Sequence, residues 1–278
     1  MKKFYIIILY LLIISPSNGN EISTKISQYI SNLISGNGET EVSVDIRENA
    51  KPDFSILAVR ELQKTDKGKY FTQISLFNTE KNNDERLVGN IGFGKRSLSE
   101  DNFLMTGFNA FVDLDNEGNK RTSLGYEAQN AVLDFNYNYY IGLDDAEGEV
   151  VLDGYDLRLA SQVPYLHWAD LFVNSYAWYG DSRDDVKGKK YGSEMLLTPN
   201  ISLELAYDDK DKAGIEDEWY ANIMFVHPPK NGPSARDGVA KTAWKENKDM
   251  SSELLTKVNR QNKIVVEFTG SATISRTD

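Results

Sequence analysis

Along most of this chain, apolar and polar side chains alternate. In residues 131–145 (A-V-L-D-F-N-Y-N-Y-Y-I-G-L-D-D), Leu133, Phe135, Tyr137, Tyr139 and Ile141 occupy one parity; Asp134, Asn136, Asn138 and Tyr140 occupy the other. Successive strand side chains point to opposite faces, so this stretch predicts a strand with one greasy face and one polar face. The same period recurs at 40–48, 53–63, 70–78, 86–95, 103–114, 121–128, 153–162, 169–180, 190–198, 201–207 and 218–227. These twelve segments, some shorter than others, approach the ~9–11 residues that a tilted strand needs to cross a bilayer. Two regions depart from the period. Within 20–38, Ile22, Ile26, Ile30, Leu33 and Ile34 share one helical stripe ending at Gly36, which predicts a short amphipathic helix. After His227, P-P-K-N-G-P-S reads as a loop. Residues 244–258 then carry Met250, Leu254, Leu255 and Val258 at helical spacing, and R-Q-N-K-I-V-V-E-F (260–268) returns to an extended habit.

A soluble sheet would show the same alternation with its apolar face inward, so the connections must decide the orientation. Counted along the chain, the odd ones read E-N-A-K, T-E-K-N-N-D, D-N-E-G-N-K, D-D-A-E-G-E, D-S-R-D-D-V-K-G-K-K and D-D-K-D-K-A-G-I-E-D. The even ones include the tight Q-N after Ala128 and T-P-N after Leu197. Short turns on one rim and long hydrated loops on the other is the layout of an outer-membrane barrel. The polar row points the same way. Asp45, Arg47, Asp134, Asn136, Asn138, Asp156, Arg158, Asn174 and Glu204 lie opposite apolar rows. A dry core would lose several kcal/mol for each such group left unpaired, whereas a hydrated lumen accommodates them. The expected fold is therefore an all-β, twelve-stranded antiparallel transmembrane barrel over 39–228. Leu133, Phe135, Tyr137, Tyr139 and Ile141 face lipid, and Asp134, Asn136, Asn138, Asp156, Arg158 and Glu204 face the lumen. Fifteen tyrosines, with Trp168, Trp178 and Trp219 near strand ends, read as interfacial girdles. The rival reading is a soluble secreted β-sandwich or lipocalin-like barrel.

The N-terminus fits this compartment. Lys2 and Lys3, an apolar run over 4–14 and small residues at Ser17 and Gly19 have the form of a secretory signal peptide, assigned to 1–19. A retained anchor is the alternative. The net charge of −11 disfavours nucleic acid, whose phosphates require a basic footprint. The chain has no cysteine, hence no disulfide framework and no thiolate metal site.

Five pieces, in order along the chain, resemble the β-domain of intimin- and invasin-type inverse autotransporters. They are M-T-G-F-N-A-F-V-D-L-D (105–115), R-T-S-L-G-Y-E-A (121–128), G-Y-D-L-R (154–158), L-T-P-N-I-S-L-E-L-A-Y (197–207) and R-Q-N-K-I-V-V-E-F (260–268). The resemblance covers roughly 39–268. It implies a twelve-stranded barrel with a periplasmic N-terminus, a helix in the lumen and an extended linker that threads the pore. Carried over, 229–268 supplies a loop, a pore helix with Met250, Leu254, Leu255 and Val258, and a linker with Asn262, Ile264, Val266 and Phe268. Only a short tail (269–278) lies beyond it, so an extended passenger is not expected, and stalk-borne host adhesion does not carry over. The family's "E-R-P-A-N-G" is also incomplete, with E-V-V-L-D-G standing before Tyr155.

The chemistry sets are weak. His167 and His227 show no sign of converging on a serine and an acid, so no enzymatic activity is expected. D-L-D-N-E-G (113–118) resembles the start of a calcium loop, but position twelve is Leu124 where a bidentate Glu is required. No metal or cofactor is expected. The expected function is membrane anchoring with translocation of the protein's own C-terminal tail. A porin-like channel gated by the C-terminal segment, or an adhesin acting through its loops, are the alternatives. The implied partners are outer-membrane lipid and lipopolysaccharide, the barrel assembly machinery and periplasmic chaperones.

Overall fold

The computed structural model describes residues 36–48, 51–81, 84–181, 183–211, 217–245 and 248–269. The leader (1–19), nearly all of the N-terminal helical stripe and the tail beyond 269 lie outside them. Twelve strands close into one antiparallel barrel: β1 (Gly38–Arg47), β2 (Asp53–Thr65), β3 (Gly68–Lys81), β4 (Asp84–Leu98), β5 (Met105–Asp115), β6 (Lys120–Gln129), β7 (Leu133–Asp144), β9 (Gly154–Val163), β10 (Leu166–Trp178), β11 (Val186–Thr198), β12 (Ile201–Lys210) and β13 (Glu218–His227). Consecutive barrel strands pair, and β1 closes on β13 from Thr40↔His227 to Arg47↔Tyr220. Closure satisfies the main-chain groups at both would-be edges. Two three-residue strands stand apart from the wall: β8 (Glu149–Val151) in the loop after β7, and β14 (Val266–Phe268) near the C-terminus, paired with one another.

Burial runs opposite to that of a soluble protein. Phe93, Phe108, Leu124, Leu133, Leu171, Ile223 and Phe225 are exposed on the outer wall, while Arg96, Asp113, Arg121, Asn138 and Asp156 are buried inside. An apolar exterior around a polar interior is stable only if the surrounding medium is hydrocarbon.

The two rims differ as the loop pattern predicts. The turns β2–β3, β6–β7, β9–β10 and β11–β12 are tight. The opposite rim carries longer connections, including 145–153, 179–185 and 211–217. After β13 the chain stays on the short-turn rim: Lys230 N donates to Pro199 O, Ala240 N to Tyr165 O, and Met250 N to Asn102 O.

The structure corrects two expectations. Among the described residues of 244–258 the helical part is a short 3-10 helix, Met250–Leu255, rather than an α-helix, and Val258 lies beyond it. Asp249 caps this helix by accepting from Ser251 N and Oγ, which holds its carboxyl below the usual carboxylate range. Trp178 is not an interfacial residue. It is 3% exposed and packs inside on Tyr140, ring centroids 5.1 Å apart. Its parity is that of Asn174, so strand alternation already placed it inward. Trp219, in contrast, is exposed beside Tyr207. Trp168 is half-buried and donates its indole N–H to Gly238 O.

Candidate functional site: the threaded lumen

From Met250 the chain enters the barrel and crosses it to the long-loop rim, held at successive heights by different strands. Near the short-turn rim, Met250 and Leu254 pack on Met105 and Leu98. Leu255 and Val258 pack on Leu57, Val59, Phe71 and Phe111. These apolar side chains fasten the segment to one side of the wall.

Arg96 on β4 makes the next contact. It is fully buried and forms a two-point pair with Glu127 (Nε to Oε1 2.8 Å, Nη2 to Oε2 2.9 Å), with its plane 4.6 Å above the Phe71 ring. Its Nη1 donates to the carbonyls of Thr256 at 2.6 Å and Glu253 at 3.2 Å. They are carbonyls at the end of the short helix and just beyond it, so Arg96 meets end groups of the helix and anchors the segment. On the neighbouring strands, Lys257 reaches Glu41 of β1 at 2.9 Å, and Gln73 Oε1 of β3 accepts from Val258 N at 2.8 Å.

At mid-height lies a closed ionic cluster. Arg260 Nη1 and Nη2 donate to Asp113 Oδ1 and Oδ2 at 2.9 and 2.7 Å. Arg121 Nε donates to the same Oδ2 at 2.8 Å, and its Nη2 donates to Gln261 O at 2.7 Å. All three charged side chains are 0% exposed. Tyr140 donates its hydroxyl to Asp156 Oδ2 and accepts from Gln261 N at 2.7 Å. Asn138 Nδ2 bridges Asp156 and the Asn259 carbonyl, 2.9 Å to each. Two guanidiniums thus sit with two carboxylates, a neutral set despite complete burial, as a low-dielectric site demands. The Arg260 plane lies 4.2 Å over Phe111. Room for the Phe111 and Phe71 rings comes from Gly92 and Gly94 on β4, where an added Cβ would fall 2.2 and 2.4 Å from ring carbons.

Higher still, Asn90 Nδ2 donates to Asn262 O at 2.9 Å, and Lys263 bonds Asp53 and Asp45. Ile264 and Val266 then pack on Phe77, Val88 and Val151, with Phe268 alongside.

The structure puts the six sequence-predicted lumen residues on the inner wall in unequal roles. Asn138 and Asp156 hold the thread directly, and Asp134 accepts from Asn259 Nδ2 at 3.3 Å. Asn136 Nδ2 supports Asp134. Arg158 pairs with Glu194 at 3.4 Å, and Glu204 accepts from the Tyr220 hydroxyl, both away from the thread. Leu133, Tyr139 and Ile141 are exposed on the outer face, with Phe135 and Tyr137 half-buried there beside Tyr126 and Tyr155. The grips that the lumen assignments omit include Arg96, Asp113 and Arg121. Inward parity was their available signal, and Asp113 and Arg121 stand inside the very motifs that carry the resemblance. Asp113 is spent on two arginines rather than a calcium loop, whose start Asp115 instead turns by accepting from Glu117, Gly118 and Asn119 N–H groups. Among the described residues no His, Asp and Glu group has the spacing of a metal site.

The thread does not fill the barrel evenly. On the β9–β13 side remains a cavity of about 350 Å³ lined by Arg158, Asn174, Lys190, Glu204, Tyr220 and, from the thread, Val265. At ~30 Å³ per molecule it holds on the order of ten waters.

A closed polar-cored barrel with a chain segment gripped along its axis defines a plugged outer-membrane β-barrel. Within that class, the family of the inverse autotransporter β-domain matches residues 14–262, and the chain belongs to it. Among solved structures, one from a study of in-meso crystallization of membrane proteins covers 83% of this chain and 99% of its own, at TM-score 0.64 and 17% identity. The KdgM and NanC porins each cover 67% of this chain and 98% of their own, at TM-score 0.45 and 6% and 11% identity. At these identities the likeness is one of fold. No curated protein matches the chain.

Proposed function

We propose that this outer-membrane barrel anchors its own C-terminal segment across the membrane and delivers the end of that segment to the cell surface. The observation that carries the reading is the continuous grip on residues 253–263, from Arg96 through Asp113 to Asp53. Nothing in a simple channel requires main-chain carbonyls of an internal segment to be held by buried arginines. The short-turn rim then faces the periplasm and the long-loop rim the exterior. The protein works by holding, and His167 sets a ring nitrogen against the Thr242 carbonyl at 3.0 Å. Lipid and lipopolysaccharide contact the apolar wall and loops, and insertion calls on the assembly machinery and chaperones that serve such barrels.

An epitope fused after Asp278 tests delivery. Intact cells are expected to bind antibody about as well as permeabilised ones; labelling only after permeabilisation contradicts it. The side cavity favours a second reading, a small channel with the segment as its gate. That reading predicts substantial conductance in the full-length protein.

A further inference from the structure

Between β13 and the thread, residues 238–245 run along the β9–β10 turn at the short-turn rim, held there mainly through their main chain. Tyr165, at φ +65° in that turn, donates its N–H to Ala243 O at 2.8 Å and accepts at its carbonyl from Ala240 N at 2.7 Å. Trp168 Nε1 donates to Gly238 O at 2.9 Å, and the His167 ring meets Thr242 O at 3.0 Å. Lys245 N donates to Gln162 Oε1 at 3.0 Å. Just before this stretch, Asp237 accepts from the N–H and hydroxyl of Ser234, at 2.7 and 3.1 Å, which closes a short turn. The hairpin thus fixes the backbone of the segment and leaves several of its side chains to the medium.

Those side chains are ill suited to water. Val239 is 73% exposed, more than any other large apolar side chain among the described residues, the lipid-facing ones included. Trp244 and Tyr165 are also exposed. The hairpin that carries the segment shows Leu159 and Leu171 on its outer wall, so this apolar surface belongs to the lipid-facing side of the barrel. Charge changes at the same place. Residues 229–245 carry Lys230, Arg236, Lys241 and Lys245 against Asp237 alone, in a chain of net charge −11. The tight turns 130–132, 164–165 and 199–200 carry no charge. Apolar and aromatic side chains among cations suit the headgroup zone of a membrane, where rings lie at the interface and basic groups meet phosphates. The core of a protein interface is depleted in lysine, which favours lipid over a protein here.

We propose that residues 235–245 form a strap that docks on anionic phospholipid at the short-turn rim. Val239 and Trp244 enter the headgroup zone, and Arg236 and Lys241 meet its phosphates. The proposal rests on the threading reading, since this strap leads the chain to its entry at Met250, and on that rim facing the periplasm. Its consequence is an anchor for the thread outside the barrel, independent of the ionic cluster at mid-height.

The chain has no native cysteine, so Val239→Cys can carry an environment-sensitive dye in the full-length protein. The folded barrel is placed in phosphatidylcholine vesicles with or without phosphatidylglycerol, each bearing nitroxide-labelled lipid. The expected result is blue-shifted emission and nitroxide quenching, several-fold stronger with phosphatidylglycerol. Arg236→Gln with Lys241→Gln should erase that preference and leave the folded gel mobility unchanged. An unquenched dye with the emission of a water-exposed one overturns docking, and quenching indifferent to phosphatidylglycerol overturns the anionic lipid. A dye unquenched in vesicles, at a cysteine shielded from soluble maleimide in cells, indicates a protein partner instead. Labelling of the exposed Asn231→Cys by an impermeant maleimide on intact cells would place this rim outside, against the leaflet assigned to the strap. Asp134→Cys with Asn259→Cys, bridged by a short bis-maleimide in a parallel preparation, reports on threading. If that pair bridges and the dye stays unquenched, docking is refuted and threading stands. If there is neither bridging nor quenching, both fail.

Discussion

Deleting residues 244–278 is expected to turn a nearly blocked barrel into an open one, with a several-fold, steady rise in single-channel conductance in planar bilayers. The segment supplies the apolar side chains of Met250, Leu254, Leu255, Val258, Ile264 and Val266, which cover the inner wall from one rim to the other. Without them the lumen keeps a polar lining of acids, amides and arginines that water readily solvates, beside an apolar strip that includes Leu57, Phe71 and Phe111. The deletion also removes positive charge from the interior. Lys257, Arg260 and Lys263 leave with the thread, while Glu41, Asp45, Asp53 and Asp156 remain on the wall. The opened pore should therefore prefer cations, and more strongly at low salt, where these charges are less screened. The same recording decides between the two functional readings. Small currents before deletion and large cation-selective ones after it indicate a plug. Substrate-selective current in the full-length protein indicates a gated channel, with the 350 Å³ side cavity as its path.

The second large effect concerns Asp113, the carboxylate shared by Arg121 and Arg260. Asp113→Ala leaves two guanidiniums buried without their common anion. Breaking a buried ionic set in this way typically costs about 3–5 kcal/mol. The barrel variant should therefore lose its folded, cold-detergent-resistant gel mobility at a markedly lower temperature or urea concentration. Arg260→Gln behaves differently, because Asp113 keeps Arg121 as its ion-pair partner. Its barrel should melt close to the parent, while the thread slackens and flickering conductance appears. A similar loss of stability in both variants would mean that Arg260 supports the wall rather than fixing the height of the thread.

Much of this was legible in the sequence because the physical signal repeats every second residue. Alternation located the strands, and the segregation of long and short connections distinguished the rims. Together they turned the greasy row of β7 outward. The thread was legible only in outline. Met250, Leu254, Leu255 and Val258 do have helical spacing, but they do not share a face. Met250 and Leu254 pack on Met105, whereas Leu255 and Val258 pack on Phe71 and Phe111. Arg96 holds the carbonyls of Glu253 and Thr256 where the helix ends. A constraint imposed by a distant strand leaves no local periodic mark. The Trp178 error is of another kind. Position near a strand end suggested an interface, but parity with Asn174 already pointed it inward, and parity is the stronger constraint on a strand. The ionic cluster was hidden because Asp113, Arg121 and Arg260 are ordinary charged residues singly; only the closed barrel brings positions up to 147 residues apart within 2.7 Å.

Everything proposed for this protein depends on residues 250–268 lying inside the barrel, with Asn259 level with Asp134. Cross-linking of Asp134→Cys with Asn259→Cys by a short bis-maleimide in isolated outer membranes tests that directly, since the tips of the native side chains meet at 3.3 Å inside the wall of β7. The expected result is an intramolecular cross-link that forms in the folded barrel and not in the denatured protein. Its absence in a barrel that still runs as folded before boiling would show that the C-terminal segment lies elsewhere.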